Sequence, residues 1–99
     1  MAGAPRPRPL AAREADGRLP SIPGWSREGK ELVLTNRFES FAAAIACVNR
    51  VAAEAEAMDH HPDMLISYRN VTFRLSSHDA GGITDRDFRL AARISAVLR

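Results

Sequence analysis

The 99-residue sequence is poor in cysteine and aromatic residues and has no long apolar run, and each shortage excludes a class of protein. A single cysteine, Cys47, excludes a disulfide framework and a cysteine-based zinc site within one chain. No apolar run approaches the roughly 18 residues that a membrane span needs. A net charge of only +2 does not predict nucleic-acid binding, which usually requires a strongly basic face. We therefore expect one small soluble domain with a single core.

Within the first nine residues, proline alternates with alanine or arginine over residues 4–9. Because such a stretch has few amide donors and little apolar mass, we expect residues 1–9 to be disordered and the domain to span residues 10–99. The stretch also lacks the apolar core of a signal peptide. These features predict a cytoplasmic protein.

Alternating apolar residues predict two β-hairpins. The first covers residues 25–35, with its turn at residues 28–30. The second joins an apolar run at 64–68 to a clearer strand at 70–77, with Asn70 marking the connection.

Two longer segments have helical spacing. The first is expected to follow Asn36 as N-cap, with Glu39 as its capping-box partner, and to stop at Pro62. The second is expected to follow Thr84, with Asp87 as the partner. The apolar stripe expected on the core face of the first helix comprises Phe38, Phe41, Ile45, Val48, Ala52 and Ala55.

A short helix at 10–15, ended by Gly17, precedes these elements, so the order is α, β, β, α, β, β, α. This order predicts an α+β two-layer sandwich. Its sheet should have four antiparallel strands, with both long helices on one face.

All three histidines fall within 19 residues, at the ends of predicted elements. His60 and His61 follow the long helix, and His78 follows the clearest strand. Glu56 lies one helical turn before His60 and can accept a hydrogen bond from its ring. A histidine positioned by a carboxylate can exchange protons near neutral pH, and His78 with Asp79 could supply the matching group.

Each of these residues also has an ordinary structural explanation. The histidine pair is compatible with a solvated helix end, and His78 with a structural role at a strand end. Asp87 is expected to cap a helix first, and Gly81–Gly82 to form a turn. We expect no metal site, because the ligand spacing typical of zinc enzymes is absent.

The histidines belong to a longer pattern. The sequence reads Glu-Ala-Met-Asp-His-His-Pro over 56–62, then has Tyr68 six residues later, His78 ten after that and Asp87 nine after His78. With this spacing, and over roughly residues 10–98, the chain resembles the pterin-4a-carbinolamine dehydratase family.

The resemblance implies an αββαββα sandwich that forms homodimers or homotetramers. It implies dehydration of 4a-hydroxytetrahydrobiopterin to quinonoid dihydropterin and water, in tetrahydrobiopterin recycling beside an aromatic amino-acid hydroxylase. No cofactor is implied, since the pterin is the substrate, and neither nucleic acid nor membrane is an implied partner. The alternative is a non-enzymatic dimerisation cofactor or assembly chaperone, a role that does not require the histidines.

By motif position, the resemblance makes His60 and His78 the acid/base pair and places His61 beside them, mainly to hold the pterin. Glu56 is expected to orient His60, and Asp87 matches the family's closing acidic position. The remaining residues expected to line the pocket are Asp59, Ser76, Ser77 and Asp79.

Two positions depart from the family's usual pattern. Met64 stands two residues after the proline, where tryptophan is common, and Ile66 stands where asparagine is usual. These departures bear on substrate affinity or assembly, and they leave the acid/base residues in place.

Overall fold

A computed structural model describes residues 8–99. The prediction of disorder over residues 1–9 therefore lies largely outside the described residues. One 3-10 turn, Leu19–Ser21, follows the first helix. The helices and strands are α1 (Ala12–Arg18), β1 (Ser26–Glu28), β2 (Glu31–Arg37), α2 (Phe41–Met58), β3 (Asp63–Ser67), β4 (Asn70–Leu75) and α3 (Asp85–Leu98).

The four strands form one antiparallel sheet in the order β1-β2-β4-β3. Leu32 pairs with Leu75, and Phe73 pairs with Leu34 on one side and Met64 on the other. Directly paired residues point to the same face of a sheet, so these five side chains share the face that α2 and α3 cover. The predicted α+β sandwich is confirmed.

The second hairpin turn and α1 differ from the prediction in detail. The β3–β4 turn falls at Tyr68 and Arg69, with Tyr68 at a φ of 54°, so Asn70 begins β4. Gly17 lies inside α1 and does not end it. In the described part of the chain, no helix is long and apolar enough to cross a membrane.

The start of α2 was predicted wrongly. Its N-cap is Ser40, whose Oγ accepts a hydrogen bond from the Ala43 N–H at 3.0 Å. Asn36 instead lies in β2, opposite Val71 of β4. The capping pattern around Asn36 is local, and the backbone pairing of the sheet overrides it.

The core face of α2 also differs from the predicted stripe. Phe41 is 50% exposed, while Ile45, Val48 and Ala52 are only half-buried. Small side chains on this face allow α2 to pack closely against α3 and the sheet. The buried residues of α2 are Ala44, Cys47, Val51 and Ala55.

Cys47 is buried in this face, as its position near the apolar stripe suggests. Burial raises the pKa of its thiol, an effect that the positive charge of Arg50 partly offsets. A protonated thiol is a poor nucleophile. Cys47 is therefore a packing residue.

α3 begins as predicted, at a capping box. The Thr84 Oγ1 accepts from the Arg86 N–H at 3.2 Å, and the Asp87 carboxylate accepts from the Thr84 N–H at 2.9 Å. The buried residues of α3 are Asp87, Phe88, Leu90, Ala91 and Ile94. This capping box holds the N-terminus of α3 beside the ends of β3 and β4 that carry the histidines.

Candidate active site

The pairing of β3 with β4 brings the three histidines to one end of the sheet. Asp63, the first residue of β3, lies opposite Arg74 near the end of β4. His60 and His61 come just before β3, and His78 comes just after β4. Because the strands are antiparallel, the start of one and the end of the other meet at the same end of the sheet.

A left-handed turn between α2 and β3 separates the two adjacent histidines. Asp59 has a φ of 50°, which is unusual for a residue other than glycine. The His60 N–H then donates to the Ala55 carbonyl at 3.1 Å. After this turn His60 lies in the interior and His61 at the surface. The helix ends here, before Pro62, so Pro62 is not what stops it.

His60 is 8% exposed and forms a hydrogen bond with a carboxylate that is fully buried. The distance from its Nε2 to Oδ1 of Asp87 is 2.6 Å. The other oxygen, Oδ2, accepts from the Ser77 hydroxyl at 2.8 Å and from the Thr84 N–H at 2.9 Å. An ionised carboxylate only accepts, so the His60 Nε2 carries the proton of the shared bond.

His61 points outward and contacts Glu56. Its Nε2 lies 2.7 Å from Oε2 of Glu56, and both side chains are largely exposed. The expectation that Glu56 orients His60 is therefore corrected: Glu56 contacts His61, and Asp87 contacts His60. Glu56 would face His60 only if the helix continued through His60, and the left-handed turn at Asp59 breaks that spacing.

Backbone hydrogen bonds hold the loop that carries His78. The Ser77 N–H donates to the Gly82 carbonyl at 2.9 Å, and the Gly81 N–H donates back to the Ser77 carbonyl at 3.0 Å. Gly81 has a φ of 78°, a conformation that glycine adopts without strain. The loop is a tight turn, as predicted for Gly81–Gly82, and it leaves His78 exposed.

An ion pair ties the same loop to α3. The guanidinium of Arg86 donates to Oδ1 of Asp79, and this hydrogen bond holds the pKa of Asp79 below its ordinary value. Both side chains reach solvent, so the pair is screened and contributes little to stability. The ion pair does constrain the position of Asp79, the residue after His78.

The other residues predicted to line a pocket fall into two groups. Asp59 is exposed and Ser76 is half-buried beside the histidines. Ser77 is buried, and its hydroxyl already bonds Asp87 and, at 2.7 Å, the Thr84 hydroxyl. That hydroxyl is not free to bind a ligand in this arrangement, which differs from the predicted role of Ser77.

Thr84 is the residue of this network that sequence reasoning did not place near the histidines. Its capping position was evident, but its bond to Ser77 depends on the loop between β4 and α3. Across residues 8–99, no group of three or more His, Cys, Asp or Glu side chains is arranged to hold a metal ion.

The fold and this site together define a small α+β protein with a histidine cluster at one end of the sheet. Two of these histidines are paired with carboxylates. The family described as pterin 4 alpha carbinolamine dehydratase matches residues 8–97. The chain belongs to this family.

Curated relatives that carry the provisional name pterin-4-alpha-carbinolamine dehydratase are similar over most of the chain. A Nocardia farcinica protein is 52% identical over 81 residues, which are 82% of this chain and 85% of the relative. A Roseiflexus castenholzii protein is 49% identical and covers 86% of this chain and 91% of the relative. A Cyanothece protein is 45% identical and covers 91% and 93%.

Two solved structures have similar folds. A Brucella melitensis protein described as a transcriptional coactivator/pterin dehydratase matches with a TM-score of 0.86 and 26% identity, covering 91% of this chain and 98% of that one. A pterin dehydratase-like protein described as a RuBisCO assembly factor in the alpha-carboxysome matches with a TM-score of 0.64 and 26% identity, covering 75% and 88%.

Proposed function

We propose that the chain dehydrates 4a-hydroxytetrahydrobiopterin, or a related 4a-carbinolamine pterin, to the quinonoid dihydropterin and water. The observation that carries the proposal is the histidine cluster at one end of the sheet. His60 is paired with Asp87, His61 is paired with Glu56, and His78 lies on the adjoining loop. Family membership supports the substrate class.

The reaction requires an acid and a base on either side of one ring. The bond between C4a and its hydroxyl oxygen breaks, and because hydroxide is a poor leaving group an acid must protonate it, so that it leaves as water. The adjacent ring nitrogen supplies the electron pair and loses its proton to a base. Positioned histidines perform both transfers near neutral pH.

His60 and His78 are the proposed acid/base pair. The Nε2 of His60 is committed to Asp87, so its Nδ1 is the nitrogen that exchanges a proton with the substrate. His61, held by Glu56, contributes mainly by binding the pterin. Asp59, Ser76 and the loop residue Asp79 are proposed to line the pocket.

In the proposed reaction, proton transfers by histidines assist the loss of water, so it calls for no metal and no organic cofactor beyond the pterin substrate. Chelation with EDTA is therefore expected to leave turnover unchanged. In the cell the product would be reduced for another round of aromatic amino-acid hydroxylation, and we place the protein in the cytoplasm beside such a hydroxylase.

We also propose that the chain works as a homodimer or homotetramer. β3 is an outer strand of the sheet, and large apolar side chains on it and on its turn are exposed, among them Leu65 and Tyr68. An exposed apolar edge strand invites pairing with another chain, and a second copy would cover it.

The direct test is the rate of quinonoid dihydropterin formation from 4a-carbinolamine that a hydroxylase generates in situ. The chain should accelerate this step, and the double variant His60→Ala/His78→Ala should lose the acceleration. Arg37→Gln, at the opposite end of the sheet, is the matched control and should retain it. A folded wild-type chain without acceleration would contradict the proposal.

An assembly role is the second candidate, because the RuBisCO assembly factor shares this fold. Such a role depends on surface contacts and does not require proton transfer. If the wild-type chain is folded but inactive on the carbinolamine, the departures at Met64 and Ile66 become the first positions to test for binding to a partner protein.

A further inference from the structure

We propose that Ser77 and Thr84 are positioning residues that act on His60 through Asp87. Their hydrogen bonds orient the buried carboxylate, and the carboxylate in turn keeps the proton of His60 on Nε2 and leaves Nδ1 free. This inference rests on the proposed function, since it assigns a purpose to a network that does not itself reach the substrate.

The direction of each hydrogen bond in the network follows from the donors available. Ser77 has one hydroxyl proton, and the Asp87 carboxylate at 2.8 Å can only accept it. The Thr84 hydroxyl, 2.7 Å from the Ser77 oxygen, must therefore donate to Ser77. Thr84 Oγ1 in turn accepts from the Arg86 N–H. The Thr84 hydroxyl thus donates to Ser77, and the Ser77 hydroxyl donates to Asp87.

A backbone amide fixes the role of one carboxylate oxygen of Asp87. Hydroxyl protons can reverse, but the Thr84 N–H, 2.9 Å from Oδ2 of Asp87, cannot accept a hydrogen bond. Oδ2 must therefore always be an acceptor. Oδ1, 2.6 Å from His60, is left as the oxygen that faces the ring.

The network also joins the two segments that carry the proposed acid/base pair. Asp87 contacts His60 through one oxygen and Ser77 through the other, and Ser77 is bonded along the chain to His78. Ser77 and Asp87 are fully buried, so water does not compete for these bonds. A small displacement of either histidine costs catalysis far more than it costs binding.

The test is nitrogen-15 NMR of the histidine rings in the folded wild-type protein and in Asp87→Asn. In the wild type, the His60 ring should carry its proton on Nε2, with a signal protected from exchange. In Asp87→Asn, the Thr84 N–H holds the amide oxygen in place of Oδ2, so the amide NH2 faces His60. The ring must then accept, and its proton should move to Nδ1. A wild-type His60 protonated on Nδ1 would overturn the proposal without any variant.

Kinetics provide a second readout. Ser77→Ala is expected to lower kcat about tenfold or more with little change in KM, because it loosens the carboxylate and spares the pterin contacts. Thr84→Val should act in the same direction, and Thr84→Ser, which keeps the hydroxyl, should restore kcat. Ser95→Ala is the control, since it also removes a partly buried hydroxyl partner, of Trp25, but at the other end of α3.

The outcomes distinguish this inference from the proposed function. If His60 is protonated on Nε2 and inverts in Asp87→Asn, but no dehydration is measured, the network is established and the enzyme proposal fails. If dehydration is measured and Ser77→Ala matches Ser95→Ala in kcat, the enzyme stands and Ser77 is only a packing residue.

Discussion

His60 and His61 are neighbours in the sequence, yet their side chains enter opposite surroundings. One left-handed residue, Asp59, produces this difference by ending α2 before the pair. His60 then bonds a buried carboxylate, and His61 bonds an exposed one. At the residue scale, the two histidines are therefore suited to different tasks.

Single replacements of the proposed acid/base pair should have limited effects. His60→Ala and His78→Ala are each expected to lower kcat by about 10²-fold or less, the lower part of the range for a positioned acid or base, because a neighbouring histidine partly substitutes. The measurement is the in situ carbinolamine assay. An unchanged rate in both variants would remove these residues from the mechanism.

The Asp79–Arg86 pair gives a prediction about pH. A carboxyl whose folded pKa is lowered contributes stability above its unfolded pKa and loses it as the pH falls through the folded value. The ion pair between Asp79 and Arg86 should thus hold the loop after β4 to α3 even somewhat below pH ~3.9, the ordinary pKa of a free aspartate.

Arg86→Gln should raise the pKa of Asp79 back toward its ordinary value, because the hydrogen bond from Arg86 is the main cause of the shift. Carboxyl-carbon NMR titration measures this directly. Arg89→Gln is the control, since Arg89 pairs with Asp85 instead. Equal Asp79 titration in wild type and Arg86→Gln would show that the pair does not form in solution.

At the scale of elements, the N-terminus of α3 is both a helix cap and the support of the histidine site. Asp87→Ala removes the carboxylate and leaves three buried partners, including the His60 ring and the Ser77 hydroxyl, without it. The free energy of unfolding should fall by several kcal/mol, about 1–3 kcal/mol for each buried donor that is left without its acceptor. Urea denaturation followed by circular dichroism measures the loss.

The matched variant is Asp85→Ala, in the same helical turn. Asp85 is exposed, and its partners Arg18 and Arg89 also reach solvent. The loss there should be about 1 kcal/mol or less. Similar losses for both positions would mean that the Asp87 network adds nothing beyond the favourable charge in the first turn.

The elements also show what local sequence can and cannot predict. The α3 capping box and the first hairpin follow from short-range patterns, and both are correct. The predicted start of α2 is wrong because Asn36 pairs with Val71, which is distant in the sequence. A single sequence contains no signal of that pairing strong enough to outweigh a good local cap.

The candidate site divides in the same way. The histidines and their place at element ends were predictable from spacing. Which carboxylate serves which histidine was not, because the answer depends on the backbone at Asp59 and on the fold that brings Asp87 to His60. Asp87 lies 27 residues from His60 in the sequence, and Glu56 lies five residues from His61. Helical spacing instead predicts a contact between Glu56 and His60, which are four residues apart.

At the scale of the whole molecule, the uncovered edge of the sheet predicts self-association. Leu65→Lys places a charge on the outer strand, where its side chain is 67% exposed, and should shift the protein toward monomer. Light scattering coupled to size-exclusion chromatography measures the change. Ser26→Lys, on the opposite edge strand β1, is the control. A wild-type protein that is monomeric at micromolar concentration would contradict the prediction.

The buried thiol of Cys47 can report how often the structure opens. Because the sulfur is buried in the core and burial raises its pKa, we expect a thiol reagent to label it only when the structure around α2 opens. The labelling rate therefore reports how often the structure around α2 opens, with no residue of the chain replaced.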